Sequence, residues 1–514
     1  MAFIVDLQES LPSLQVCAGI ALALLIVGRI IYLRYFHPLA NVPGPFLASI
    51  TELYRFYFDF IKNGSFYLKF EDFRAKYGPV VRIAPNEVLL TDPDNYDRVY
   101  SMNTKFYKDP SFYTLSGANT ALFSITSNEE HRRYRAILNP FFSRRSVLDQ
   151  EKIVQEKAAK LLARIEADSK RGEATDISVG FRAISVDTIT EYAFGAERCW
   201  NSLDREDLGV WYNDLARTIV PMMYVFKIVP WLQAPMQAMP YWLAKILNPI
   251  VTGMMDMMEL MRKDIEDVVR QVDAGVKPER ETIFHTVLNP KADMDFEKPT
   301  VQHMVDEAFG MLGAAAETAG NAMTMCAFHV LFNPESHARL RKELVDAFPD
   351  PAQPVDYQTL EKLPYLTAVL KEGMRLSYGV IHPLPRVVPA PGVMFNGQFL
   401  AQGTVVCMSS WLMHRDPVAF PAPEKFDPER WLGDKEKVHF RERFLVPFSK
   451  GNRMCIGLPL AMCELYVSVG LLFRRLDDLK AVDVGPEDMV YEDYFGAFHP
   501  KDARKFRVLR GDSD

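Results

Sequence analysis

The sequence predicts a mainly α-helical fold with a small β part, preceded by one transmembrane helix. Three observations predict it. Residues 14–33 read LQVCAGIALALLIVGRIIYL, one apolar stretch, and twenty helical residues rise about 30 Å, the hydrocarbon thickness of a bilayer. Apolar residues then recur at helical spacing from about Asp97 to Ser377, with Gln150–Lys170, Met254–Asp273 and Pro299–Phe332 as the longest candidates. Strand-like alternation is confined to PVVRIAPNEVLLTD, Val393–Phe399 and Thr404–Met408.

In the apolar stretch only Gln15 and Arg29 are strongly polar, and Arg29 is close enough to its end to snorkel. Asp6 and Glu9 precede it; Arg34 and His37 follow. The positive-inside rule then puts residues 1–13 in the lumen, makes 14–33 the anchor and leaves the body in the cytosol. A cleaved signal peptide would need a basic leading region and a small-residue cleavage site, and neither is evident. Residues 34–45 are a hinge, in which Pro38, Pro43 and Pro45 forbid helix continuation. Residues 46–514 show no repeat, low-complexity tract or long linker and are expected to form one large domain.

Composition narrows the function. With 48% hydrophobic and 24% charged residues, the 514-residue chain is no collagen, disordered scaffold or polytopic transporter. Its net charge of −7 disfavours a nucleic-acid partner. Six cysteines (Cys17, Cys199, Cys326, Cys407, Cys455, Cys463) are scattered with no CxxC pair. They are too few for a disulfide scaffold and point to a reducing compartment for the body. No P-loop or GxGxxG fingerprint is present.

Residues 448–457 read FSKGNRMCIG, which fits FxxGxRxCxG at Phe448, Gly451, Arg453, Cys455 and Gly457. Alone, Cys455 would be a buried, inert thiol in a glycine turn. The whole loop resembles the haem-binding loop of the cytochromes P-450, the haem-thiolate monooxygenases. The resemblance implies that fold for residues 46–514, haem b as cofactor and Cys455 as the axial thiolate on iron. A thiolate donates electron density to haem iron and favours O–O cleavage. Glycines let the backbone turn beneath a flat macrocycle. Arg453 can pair with a haem propionate. The helix beginning near Leu458 aims its N-terminus at the sulfur, which is expected to lower the thiol pKa.

Three further segments match the family in its order. Glu372 and Arg375 form its ExxR pair, on one helix face by their spacing. By itself such a pair is a solvated ion pair; with Arg430 in FDPERW the resemblance implies a buried structural network. Residues 314–318 (AAAET) are similar to the oxygen-activation motif, with Ala315 where glycine is usual. A small-residue run commonly means a helix-packing face, but here it implies that Glu317 and Thr318 relay protons to bound dioxygen. Small residues and a threonine would also let the helix bend there. His131 and Arg135, four apart, match the propionate clamp, with His where many members have Trp. Arg386, in LPRVVP, is a further propionate candidate.

The nearby Arg132, Arg133, Arg144 and Arg145 read either as a solvated face or as a docking surface. The resemblance implies the second, for an acidic NADPH-dependent reductase. The hinge and HRRYRAILNPFFSRR resemble filamentous-fungal microsomal members, and more narrowly trichodiene-oxygenase-like enzymes. The implied function is insertion of one oxygen atom into a lipophilic molecule, a terpenoid or other secondary-metabolite intermediate, at the endoplasmic reticulum. The resemblance places Ser116–Phe123, Phe309–Ala314, Val380–Pro383 and Phe495–Phe498 around the substrate. The alternatives are a reductase-independent isomerase or dehydratase, a xenobiotic or fatty-acid hydroxylase, and a non-catalytic haem protein.

Overall fold

The computed structural model describes residues 14–247, 249–276, 278, 280–289, 298–350 and 353–511. Helix α1 (Leu14–Ile31) continues through a π-turn to Phe36, and its apolar side chains face outward. The stretch Gln15–Phe36 has a mean hydropathy of 2.4 and is long and apolar enough to cross a membrane. The expected lumenal segment 1–13 lies outside the described residues.

After the proline hinge, β1 (Val80–Ala84) and β2 (Glu87–Leu90) form an antiparallel pair. They join β3 (Tyr107–Lys108), β4 (Arg386–Val387) and β5 (Val405–Cys407) in one sheet, ordered β1-β2-β5-β4-β3. Only the β2–β5 pair is parallel. Its register matters for the site, because β3 pairs antiparallel with β4 and sets Lys108 directly opposite Arg386. The expected strand 393–399 is instead a hairpin of Gly392–Phe395 with Gln398–Ala401. Asn396 and Gly397 both take positive φ there, the two-residue turn that this dipeptide favours.

The helical body is built from α2 (Asn128–Leu138), α3 (Glu151–Lys170), α4 (Ile177–Phe194), α5 (Trp211–Ile228), α6 (Pro249–Asp273), α7 (Val301–Leu331), α8 (Pro364–Ser377) and α9 (Leu458–Arg475). Caps set several starts. The Ser127 hydroxyl accepts the Glu130 amide at α2, and Thr300 accepts the His303 amide at α7. Pro364 stands in the first turn of α8, where its missing N–H costs nothing. Helix α6 starts one turn before its apolar periodicity becomes visible in the sequence.

Helix α7 is the axis of the core. On one side α4 packs so closely that a Cβ at Gly320 would lie 2.5 Å from Cγ of Arg182. On the other, α8 meets it where a Cβ at Gly373 would collide with Cys326. The helix is buried along most of its length, yet Gly313 and Ala314 in its middle are exposed. The helix is therefore open to solvent at this point.

Candidate active site

The loop before α9 turns on Gly451. Its φ is +76°, and a Cβ there would sit 2.5 Å from the Ser101 carbonyl, so both conformation and space require glycine. The Cys455 amide donates to the Phe448 carbonyl at 3.0 Å, which closes the loop. The Cys455 side chain lies deep among protein atoms and is nevertheless solvent-accessible, as a group facing an internal cleft is. Burial pushes its thiol pKa up, against the Gly457 and Leu458 amides and the charge of Arg135. The amides of the first α9 turn favour the thiolate, as the helix N-terminus predicts, and burial opposes them.

A second set of side chains surrounds this cleft. Lys108, His131, Arg135, Arg386 and Arg453 come from β3, α2, β4 and the cysteine loop. Burial pushes the Lys108 ammonium well below its usual pKa, and Arg386, Arg453 and Arg135 push it further. Its Nζ donates to the Phe123 carbonyl and lies 4.3 Å from the ring centres of Tyr113 and Phe123. Burial lowers His131 to about 2, again with help from the four cations, so its imidazole is neutral. Glu130 offsets part of the charge at Arg453. The cluster remains cationic and desolvated, an arrangement that calls for an anionic occupant.

All three of these arginines are engaged with the chain itself. Arg453 donates to the carbonyls of Ile125, Thr126 and Ser127 at 2.7–2.9 Å and to Asn128 Oδ1. It ties the cysteine loop to the start of α2 and keeps little donor capacity for a ligand. Arg386 donates to the Tyr113 hydroxyl at 2.9 Å. Arg135 bonds the Met454 carbonyl at 2.6 Å through Nη1 alone. The residues fit haem on two counts. An accessible sulfur lies beside Arg135, and a desolvated cluster of cations suits two propionates.

On the α7 side, Thr318 Oγ1 donates to the Ala314 carbonyl at 2.7 Å, and the backbone stays α-helical throughout Val301–Leu331. The bond back to that carbonyl is the one expected of a threonine at this position. Glu317, about 100° round the helix from Thr318, is buried in a bidentate pair with Arg182 of α4, at 2.5 and 2.8 Å. The two candidate relay residues are thus not brought together: the carboxylate is held against α4.

Behind the cleft, Glu372, Arg375 and Arg430 meet. Arg375 holds both oxygens of Glu372 at 2.8 and 2.9 Å, and Arg430 Nε reaches Oε1 at 3.2 Å. Glu372 and Arg375 are both fully buried. The remaining Arg375 donors go to the carbonyls of His414, Pro423 and Lys425. Trp431 Nε1 and the Asp427 amide also bond Glu372, contacts that the sequence did not reveal. Sequence reasoning missed Lys108, Tyr113 and Arg182 as well, since no local motif marks them.

Arg132, Arg133, Arg144 and Arg145 are all exposed, and Arg144 is also paired with Glu361.

The family model described as Cytochrome P450 matches residues 43–500. A tryptophan 6-hydroxylase of Fusarium equiseti is 33% identical over 92% of this chain and 92% of its own. An N-acetyltryptophan 6-hydroxylase of Emericella nidulans is 33% identical, covering 89% and 91%. A cytochrome P450 monooxygenase of Sordaria araneosa is 34% identical, covering 91% and 93%.

Proposed function

The chain belongs to the cytochrome P450 family of haem-thiolate monooxygenases, and from this premise we propose that it inserts one oxygen atom into a lipophilic intermediate of fungal secondary metabolism. The observation that carries this reading is the accessible Cys455 sulfur in a cleft ringed by Lys108, His131, Arg135, Arg386 and Arg453. When bound, haem supplies the redox chemistry that activates dioxygen.

The chain's own residues have separate tasks. Cys455 holds the iron, with the Gly457 and Leu458 amides favouring its anionic form. Arg135, Arg386 and Lys108 offer donors to the propionates, while Arg453 fastens the cysteine loop to α2. Phe448 and Gly457 bound the loop that would hold the cofactor. Thr318 holds a hydroxyl proton on the Ala314 carbonyl and can pass it toward the cleft by rotating. Glu317 reaches the cleft only by leaving Arg182; once free it can take up a proton from solvent and carry it inward.

Members of the family draw electrons from a redox partner. Here an NADPH-dependent reductase is proposed to dock at the exposed Arg132, Arg133 and Arg145, beside α2. The apolar helix Gln15–Phe36 supports a single-pass anchor in the endoplasmic reticulum with the body in the cytosol. Exposed Phe46, Leu47, Trp231, Trp242 and Ile246 support a body that also rests on lipid.

Terpenoids are the first substrate class in this reading. The two relatives named for tryptophan and N-acetyltryptophan hydroxylation favour an indole as the second. Aromatic walls at Phe112, Phe123 and Phe495 suit either. The test is coexpression with a reductase, feeding of terpene and indole precursors, and mass spectrometry of the products. A product heavier by one oxygen, formed only with NADPH and reductase, is expected. Turnover without either would establish the isomerase reading instead.

A further inference from the structure

Two consecutive carboxylates of α7, Asp306 and Glu307, both reach the irregular segment between β3 and α2. The Thr120 amide and hydroxyl donate to Asp306 Oδ2 at 3.2 and 2.7 Å. Gln302, one turn earlier, steadies the other Asp306 oxygen at 2.7 Å. The Leu122 amide donates to Glu307 Oε2 at 2.6 Å. Between them Ala121 packs on Gly310, where an added Cβ would stand 3.4 Å from that of Ala121. Three successive loop residues are thereby seated on three positions of one helix. Asp306 and Glu307 are each 4% exposed, so these bonds are shielded from water.

Beyond α7 the loop is held at its far side, where Lys108 donates to the Phe123 carbonyl and Arg453 to that of Ile125. Residues 114–127 lie in turns and irregular backbone. Ser116 and Ser124 hydroxyls touch at 3.2 Å and close it into a compact excursion. Its tip carries Leu122 and Phe123, and the Phe123 ring meets Phe495 with centres 5.3 Å apart. In the reading above this loop is one wall of the substrate cavity, and the inference rests on that placement.

We propose that Asp306 and Glu307 are positioning residues that staple the 116–125 loop onto α7, and so govern how often the loop lifts to admit a ligand to the cleft. Neither side chain is required to touch the substrate. Each acts through a backbone amide of the cavity wall.

The staple carries its own pH dependence. Burial pushes the Glu307 carboxyl up to about 7, opposed by the Leu122 amide and the Tyr134 hydroxyl and aided by Asp306. The groups facing it are Asp306 and, one turn away, His303 on α7, with Tyr134 on α2, whose ring centre lies 4.7 Å from that of His303. Burial holds His303 neutral at lower pH than usual. A carboxyl whose pKa is higher when seated than in water favours the seat when protonated. The seated loop is therefore favoured as pH falls from about 7 toward the ordinary carboxyl value of 4.5, and loosens as pH rises through that window.

The test uses the full-length holoenzyme and cyclohexyl isocyanide, a haem ligand that does not itself titrate. Its association rate is followed by stopped flow between about pH 5.5 and pH 8, while hydrogen–deuterium exchange of residues 116–125, corrected for intrinsic rates, is read in parallel. For the wild type the rate should rise severalfold, by up to roughly tenfold per pH unit, and flatten above about pH 7. Glu307→Gln should remove the pH step from both measurements. Thr120→Val, at an exposed position, should speed loop exchange and ligand entry at every pH while keeping the step.

A wild-type rate flat across the range would overturn the proposal. So would a step that persists in Glu307→Gln, or an unchanged loop exchange in Thr120→Val. The last result decides the matter even if Glu307→Gln does not fold. Absence of any isocyanide–haem band would count against the monooxygenase reading instead, and exchange of the loop would still report on the staple.

Discussion

Lys108 and Arg386 face each other across the antiparallel pair of β3 and β4, two cations in direct register at the edge of the cleft. Like charges placed directly opposite destabilise a sheet. Each has found a partial remedy. Lys108 lies against the rings of Tyr113 and Phe123, and Arg386 donates to the Tyr113 hydroxyl. Neither remedy is an anion. The pair is best explained by a ligand that brings its own negative charge.

Lys108→Gln should therefore speed haem loss. A charge-assisted bond exceeds a neutral one by about 1–1.5 kcal/mol, which corresponds to roughly tenfold in the dissociation rate. Transfer of haem to a globin acceptor measures it. A rate equal to wild type would mean that Lys108 serves only to anchor the Phe123 carbonyl.

Cys455→Ser tests the axial ligand. A neutral hydroxyl is a poor donor to iron, so the reduced carbon monoxide adduct should lose the red-shifted Soret band of thiolate ligation. Because burial raises the thiol above its ordinary value, the apoprotein should also show Cys455 reacting more slowly with alkylating reagents at neutral pH than an exposed thiol does. A thiolate spectrum surviving in the serine variant would remove Cys455 from the iron.

What was legible in the sequence divides along a physical line. The cysteine loop and the Glu372–Arg375 pair could be read because their geometry is local: five fixed residues within ten, and a helical spacing of three. Trp431 and the Asp427 amide complete the Glu372 site but arrive from a distant segment, so no spacing announces them. The same holds for Lys108 beside Arg386, brought together by sheet register, and for Arg182 on Glu317, brought together by the close approach at Gly320. The helix N-terminus at Cys455 is visible in sequence, whereas the desolvation that opposes it is a property of the packed fold. At Asn396-Gly397 the turn signal was present and was overlooked in favour of one continuous strand.

Glu372→Ala should yield little holoprotein. It strips both oxygens from Arg375, removes the Arg430 partner and leaves Trp431 Nε1 and the Asp427 amide without an acceptor, all in the interior. Uncompensated buried charge of this kind costs about 3–5 kcal/mol, a large fraction of a typical net stability. Haem content and thermal midpoint of the purified variant are the measurements. Wild-type values for both would show that the surrounding carbonyls of His414, Pro423 and Lys425 suffice for Arg375.

Deleting residues 1–36 should weaken membrane attachment without abolishing it. The anchor leaves with the deletion, but Phe46, Leu47, Trp231, Trp242 and Ile246 keep their apolar side chains exposed. Partition between supernatant and liposome pellet should show a persistent bound fraction that high salt does not release. Complete solubility in buffer alone would show that these side chains do not engage lipid.

Thr318→Ala separates proton delivery from the other tasks of the site. Its hydroxyl is held on the Ala314 carbonyl at 2.7 Å, beside the exposed Gly313 and Ala314, while Glu317 is paired with Arg182 on the far side of the helix turn. With the nearer donor gone and the carboxylate still paired, proton transfer to bound dioxygen should slow. Substrate binding and electron acceptance should persist, because neither depends on this hydroxyl. Electrons would then leave as peroxide rather than as hydroxylated product. General acid–base assistance contributes about 10²–10⁴-fold, which bounds the fall in product rate, and the loss should appear in kcat far more than in KM. The measurement is the ratio of product to NADPH consumed, with peroxide assayed alongside. Adding Arg182→Met should release Glu317 and recover part of the coupling if the carboxylate is the reserve donor. If Thr318→Ala keeps full coupling, the threonine is a packing residue and the proton reaches the cleft by another route.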